Sequence, residues 1–515
     1  MATIIEEKER RVIPNWRSFG TTVSLGELDL SSKNTNSFPV LSIDSYINDF
    51  RSNQSVPFAA DLLSASLVNG FTNNKDVEAA ARFLLNHQNE TTVSQRDLAC
   101  KILYGPGSSR NDIENITIKQ LDDCISEQDF INRIKELKQY LISYPNNSIA
   151  WVELSRCYSI LGQEKKALQT MKYAVQLSPN NRFVIRCATR LFSHYDELDL
   201  AQYVLRHCSI LKKDPWLLSA EVAVNTLRGK VSNLLKRGTE ILDSSNYSPF
   251  STTELAASIA TVHLLAGDRK KSRKLFTKSL VSPNDNSIAQ IEWVLNSKDK
   301  NLLDKDTIVI ETQHGYEAMA INNYYSNNLI EALNNTCQWF CDMPFSKRPV
   351  MMGSSIADLL DNKKLAITFL KKGLVSNSND CQILNNIAYY YALENNTFEA
   401  SKYIDKIDNK SVDIIDGICI TATKGLIKFR ERNYECGREL YLRAINGTTK
   451  TGNKELNYKA ILNYTREELL AGSDYIEAAI NLINEMKDVK NMSIEIKKLH
   501  SEVVELYKKY KANAI

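Results

Sequence analysis

Ala332, Ala366 and Ala400 stand 34 residues apart, and so do Tyr316, Val350 and Leu384. That spacing is the period of a helix–turn–helix unit repeated along a chain. Such a unit cannot bury its apolar face alone, so neighbouring units stack into a solenoid. Its core is then a continuous stripe rather than a ball. The period predicts an all-α array with a concave side, an architecture that usually binds other molecules rather than transforming them.

The clearest unit is SIAWVELSRCYSILGQEKKALQTMKYAVQLSPN, Ser148 to Asn181. Trp151, Leu154 and Tyr158 fall on one face of a first helix. Gly162 can end that helix with a left-handed residue. Ala167 and Ala174 let a second helix approach closely, and Pro179 stops it. With Met171 these residues match the consensus of the tetratricopeptide repeat, and the chain resembles that family. Ser155 takes the place of the usual glycine. A second unit follows with Ile185, Ala188, Phe192, Ala201, Leu205 and Cys208, closed by Pro215. A weaker one spans Ser251 to Pro283. Units at 316–344, 350–370 and 384–404 keep strict register. A further one carries Gly425, Tyr441 and Ala444, and the last hairpin has Gly472, Tyr475 and Ala478 after a small insertion at Gly447–Asn453.

The resemblance covers residues 114–487 and implies a right-handed superhelix of roughly ten helical hairpins. Its expected divisions are an irregular N-terminal cap or partner-binding arm at 1–56 and degenerate hairpins at 57–113. TPR-like repeats follow at 114–300 and 301–487, with a capping helix at 488–515. In the arm, Thr21–Leu30 has strand character, and Val12, Ile13, Trp16 and Phe19 are too apolar for simple disorder. In 57–113, Ala59–Val68 pairs with Val77–Leu85, and Val93–Leu103 adds a third helix. Ile496, Leu499, Val503, Leu506 and Tyr510 form a short seam on the last helix, suited to capping the array or to pairing two copies.

Little points to chemistry. With 64 basic and 61 acidic residues the chain is near neutral, so bulk charge implies no nucleic-acid partner. No apolar stretch of about 18 residues predicts a membrane span. The first residues lack a secretion-signal pattern, and the ten cysteines read as reduced thiols in a cytoplasmic protein. Tyr104-Gly105-Pro106-Gly107-Ser108 lacks the lysine of a phosphate loop. None of the six histidines has metal-ligand spacing. Cys337 and Cys341 share a helix face but have no second pair to complete a site. No catalytic motif, metal or cofactor is expected.

The resemblance assigns the concave groove to set positions of each first helix. These are Val152, Arg156 and Ile160, then Arg186, Arg190 and His194, then Met351, Ser355 and Leu359, then Asn385, Tyr389 and Leu393. Arg156, Arg186 and Arg190 make a candidate basic patch for an acidic peptide. Met351, Ser355, Asn385 and Tyr389 make an adaptable surface for an extended segment or a partner helix. The carboxylate clamp of chaperone-binding relatives is not matched, since Met351 and Arg186 stand where lysine is expected. The resulting expectation is a non-enzymatic scaffold or regulatory subunit that holds a partner protein or peptide. The alternative is a peptide or small-ligand sensor that relays to a separate effector in a bacterial signalling or defence assembly.

Overall fold

The computed structural model describes residues 13–18, 43–52, 54–69, 74–87, 95, 98–99, 102–103, 126–244, 246–299, 301–303, 312, 314–408, 412–486 and 492–513. Every regular element among them is helical. Consecutive helices pair into hairpins: Ser148–Ile160 with Glu164–Leu177, Arg182–His194 with Leu198–His207, and Pro249–Leu265 with Arg269–Ser279. The same pairing continues with Tyr316–Tyr325 and Leu329–Asp342, Lys347–Leu359 and Lys363–Ser376, and Cys381–Leu393 and Thr397–Ile404. Two longer hairpins, Ile414–Arg430 with Tyr434–Thr451 and Lys454–Ala471 with Ile476–Asn484, lead to the final helix Ile494–Asn513.

The repeat is written most plainly in its turns. Gly162 and Asp196 have positive φ, and so do Asn327, Asp361 and Asn395 at intervals of one period. Each ends a first helix with the chain reversed by a left-handed residue. The next amide then reaches back to a carbonyl five residues earlier, as in Gln163 N to Tyr158 O at 2.8 Å and Asn362 N to Ala357 O at 2.9 Å. Asn and Asp tolerate this conformation because their short polar side chains bond locally. Asn327→Val is therefore expected to cost about 1–2 kcal/mol relative to Asn327→Gly. The measurement is a pair of urea unfolding curves, and equal midpoints would show that the turn is not strained.

Caps complete the pattern. Asn147, Asn181, Asp214 and Asp380 precede first helices and accept hydrogen bonds from the opening amides. Between the helices of a unit the expected small residues are buried, with Ala167, Ala201, Ala332, Ala366 and Ala400 fully inaccessible. Ser155 is more than a small substitute for glycine: its hydroxyl donates to the carbonyl of Ala167 across the hairpin at 2.7 Å.

Several elements differ from the sequence expectation. Pro215 does not close a unit. It sits at the first turn of helix Pro215–Leu227, capped by Asp214, and that helix pairs with Leu235–Asp243 as an unassigned hairpin. The supposed insertion at 447–453 is instead the continuation of helix Tyr434–Thr451, which ends at left-handed Gly452. Residues 43–52 form a helix, with Ile43, Tyr46, Ile47 and Phe50 turned toward Val56–Asn69 and Lys75–Asn86. That helical spacing lies within a stretch expected to be irregular. The strand-like Thr21–Leu30, the Gly105–Gly107 loop, Val12, Phe19 and most of 93–103 lie outside the described residues.

The array also bends back on itself. The Ser376 hydroxyl donates to the carbonyl of Ile160 at 2.6 Å, and Arg156 donates to the carbonyl of Asp342 at 3.2 Å. Gly162 rests against the carbonyl of Val375 so closely that a Cβ would overlap it. The hairpin at 148–177 therefore touches the one at 347–376, far along the chain.

Candidate functional site

The first candidate strip, Arg156 to His194, lies within the protein's own contacts. Arg156 is 4% exposed and sits 3.8 Å from the carboxylate of Glu153. Arg186 makes a bidentate pair with buried Glu254, at 2.9 and 3.0 Å, and lies over the Trp216 ring at 5.1 Å. Arg190 lies over the ring of Phe345 at 5.5 Å. These cations are thus engaged by carboxylates, carbonyls and rings of the chain itself, and Arg156 and Arg186 are not available to an acidic peptide as expected.

His194 meets Phe345 edge to face at 5.3 Å. Burial first, then positive Arg190 and Lys347, lower its pKa to about 3. The unfolded chain binds this proton below about pH 6.5, and the folded chain only near 3. Stability from this group is thus full above about 6.5 and is lost as pH falls toward 3, by up to about 1.4 kcal/mol per pH unit. The expected result is a larger drop in urea midpoint from pH 7 to about 4.5 for the wild type than for His194→Leu. Equal drops would mean that His194 takes up a proton freely in the folded state.

What fills this side of the array is the N-terminal segment Ile13–Ser18, which has no regular structure. Trp16 is fully buried, its ring 5.4 Å from Phe345. Arg17 donates to Asp285 at 2.6 Å and to Asp342 at 2.7 Å. Burial opposes its charge, but the two carboxylates hold the pKa above the usual arginine value. Asn15 donates to Asp285 at 2.6 Å, and Ser18 to Glu153 at 2.6 Å. The Asn286 amide donates to the carbonyl of Ile13 at 2.8 Å. The segment does not lie along the first helices, as a cap would. It bridges units more than a hundred residues apart. Sequence reasoning flagged Ile13 and Trp16 as unusually apolar for a disordered arm but missed Arg17, Asp285 and Asp342, which carry no local motif.

The second candidate strip is covered as well. Met351, Ser355, Asn385 and Tyr389 are each 5% exposed or less. Ser355 and Tyr324 both donate to Glu495 on the final helix, the former at 3.0 Å. Lys498 donates to the carbonyls of Asp358 and Leu359, at 2.9 and 3.2 Å, and to the Asp361 carboxylate at 2.5 Å. The Tyr389 hydroxyl donates to Asn463 at 3.0 Å. Helices Lys454–Ala471 and Ile494–Asn513 thus occupy the surface expected to receive a partner helix. Ile496, Leu499 and Val503 are buried against Leu462, Leu469, Ile476 and Ile480. The seam considered for a homodimer is used within the chain.

Cys337 and Cys341 are half-buried on one helix. Among the described residues no group of three or more His, Cys, Asp or Glu is placed to hold a metal ion. No described helix is long and apolar enough to cross a membrane.

The hairpins, their left-handed turns and their 34-residue period make this chain an all-α helical repeat solenoid of the tetratricopeptide type. No protein-family profile matches it, and no curated protein does. Among solved structures it is similar to yeast Tom70, at 14% identity over 76% of this chain and 95% of that one, with a TM-score of 0.30. It is also similar to the APC/C hetero-tetramer Cut9-Hcn1, at 11% identity over 90% of this chain and 92% of that one, with a TM-score of 0.39.

Proposed function

We propose that the protein is a non-enzymatic interaction scaffold or regulatory subunit whose concave side holds an extended segment of a partner protein. The observation that carries this reading is the seating of Ile13–Ser18. An irregular hexapeptide is held there by an aromatic anchor, a two-carboxylate clamp on arginine and a side-chain amide on its backbone. These are the elements by which repeat arrays recognise peptides: anchors for affinity and polar groups for register. The expected ligand charge is also reversed from the sequence expectation. The basic patch is internally paired, whereas Asp285 and Asp342 face the seated segment.

The test is affinity capture from the native extract with the intact protein and with Asp285→Asn/Asp342→Asn, both checked for fold by circular dichroism. A single stoichiometric partner that is lost in the variant supports the groove. A partner retained by the variant places the site elsewhere on the array. Failure of either protein to retain any partner sinks the scaffold reading.

A further inference from the structure

We infer that Ile13–Ser18 is an internal ligand of this groove, and that the partner segment it stands in for presents an aromatic residue followed by a basic one. The inference rests on the scaffold reading above and specifies its partner.

Four features hold the segment in its seat, each with its own chemistry. Asp285 and Asp342 have side chains only 14% and 17% exposed, and Arg17 lies across both. His314 lies 3.7 Å from the Asp342 carboxylate, and Arg156 lies 3.8 Å from that of Glu153. Where Arg17 sits, two carboxylates converge on one guanidinium, so this part of the seat favours a cation and disfavours an acidic group. Arginine answers such a pair better than lysine because its planar fork reaches two acceptors.

Beside the clamp is a pocket for a ring. Trp16 is fully enclosed, yet its indole Nε1 has no hydrogen-bond partner among the described residues. The pocket therefore recognises the apolar ring and not the indole N–H. The third part is Asn286, which reads the backbone carbonyl of Ile13 and is indifferent to sequence. The fourth belongs to the ligand: Pro14 fixes its own φ and biases Ile13 toward an extended conformation, so the segment arrives pre-ordered.

If the seat recognises this segment as a ligand, the contacts of Trp16, Arg17 and the Ile13 carbonyl must hold it without its covalent tether. The experiment uses the full-length chain with Trp16→Ala/Arg17→Glu, which removes the anchor and reverses the cation of the arm. A fluorescent synthetic peptide of residues 10–20 is titrated into it and into the wild type. The expected result is binding at least tenfold tighter to the variant than to the wild type, whose groove is already filled. A peptide carrying Arg17→Glu is expected to lose at least tenfold. A folded variant that does not bind the peptide, or equal binding by variant and wild type, overturns the inference.

If the double variant does not fold, the wild type is measured by hydrogen exchange with excess peptide. Faster exchange of the chain's own 13–18 amides supports displacement, and unchanged exchange overturns it. A partner still captured by the wild type while the peptide fails would leave the scaffold reading standing and end this one.

Discussion

Gly162→Ala is expected to destabilise the protein more than the same change at any other left-handed glycine of the repeats. Two penalties coincide there. The residue has φ of +66°, which disfavours any Cβ by about 1–2 kcal/mol. The new methyl would also overlap the carbonyl oxygen of Val375, part of the backbone of a hairpin that closes the array. Gly229 and Gly267 are built-in controls. Both have positive φ, at 68° and 81°, and neither has an atom within 4 Å of an added Cβ. Alanine there should cost only the conformational part. The excess loss of urea midpoint in Gly162→Ala over Gly267→Ala measures the contact between hairpins 148–177 and 347–376. Equal losses would show that this contact adds no stability.

Val503→Asp is expected to release the final helix while leaving the earlier units folded. Val503 is fully buried among Leu462, Leu469, Ile476, Ile480, Ile496 and Leu499. An ionised carboxylate there has no partner, and burying an unpaired charge is disfavoured by several kcal/mol, so the helix should leave instead. Its departure also breaks the Glu495 and Lys498 contacts that cover Ser355 and the end of helix Lys347–Leu359. Limited proteolysis should then cut within 494–513 at protease levels that spare the wild type. Lys508→Asp, on the exposed side, should change stability by less than about 0.5 kcal/mol. Intact helices in the Val503→Asp digest would count against this account of the cap.

The fold was legible because its determinants are local. Alanine at fixed spacing, a capping Asn or Asp, and a turn residue able to take positive φ recur at one period. The Asn327, Asp361 and Asn395 series is as regular as the alanine series, though it is easy to overlook when only glycine is sought at turns. The hairpin at 215–243 escaped because its proline reads as a stop and turns out to be a start.

The site was legible only by half. Register sets which face of its helix Arg186 or Ser355 occupies. It says nothing of what lies over them. The Glu254 partner of Arg186 is 68 residues away, and the Glu495 partner of Ser355 is 140 residues away. No local pattern encodes such distances. An arm with Trp16 and Arg17 carries no mark of the groove it enters, since Asp285 and Asp342 belong to different units.

The distance between Arg17 and its clamp has a consequence for biosynthesis. Arg17 leaves the ribosome early, and Asp342 follows 325 residues later. At about 5–20 residues per second, the tryptophan beside it waits tens of seconds for its pocket to exist. The hairpins at 148–207 can form in that interval, because their contacts are local. The seat cannot, because Asp285, Asp342 and Phe345 are translated well after these hairpins. During synthesis the arm is therefore a free aromatic–basic segment beside a half-made groove, open to chaperones and to other chains, and its docking marks the point at which residues 285–345 have folded.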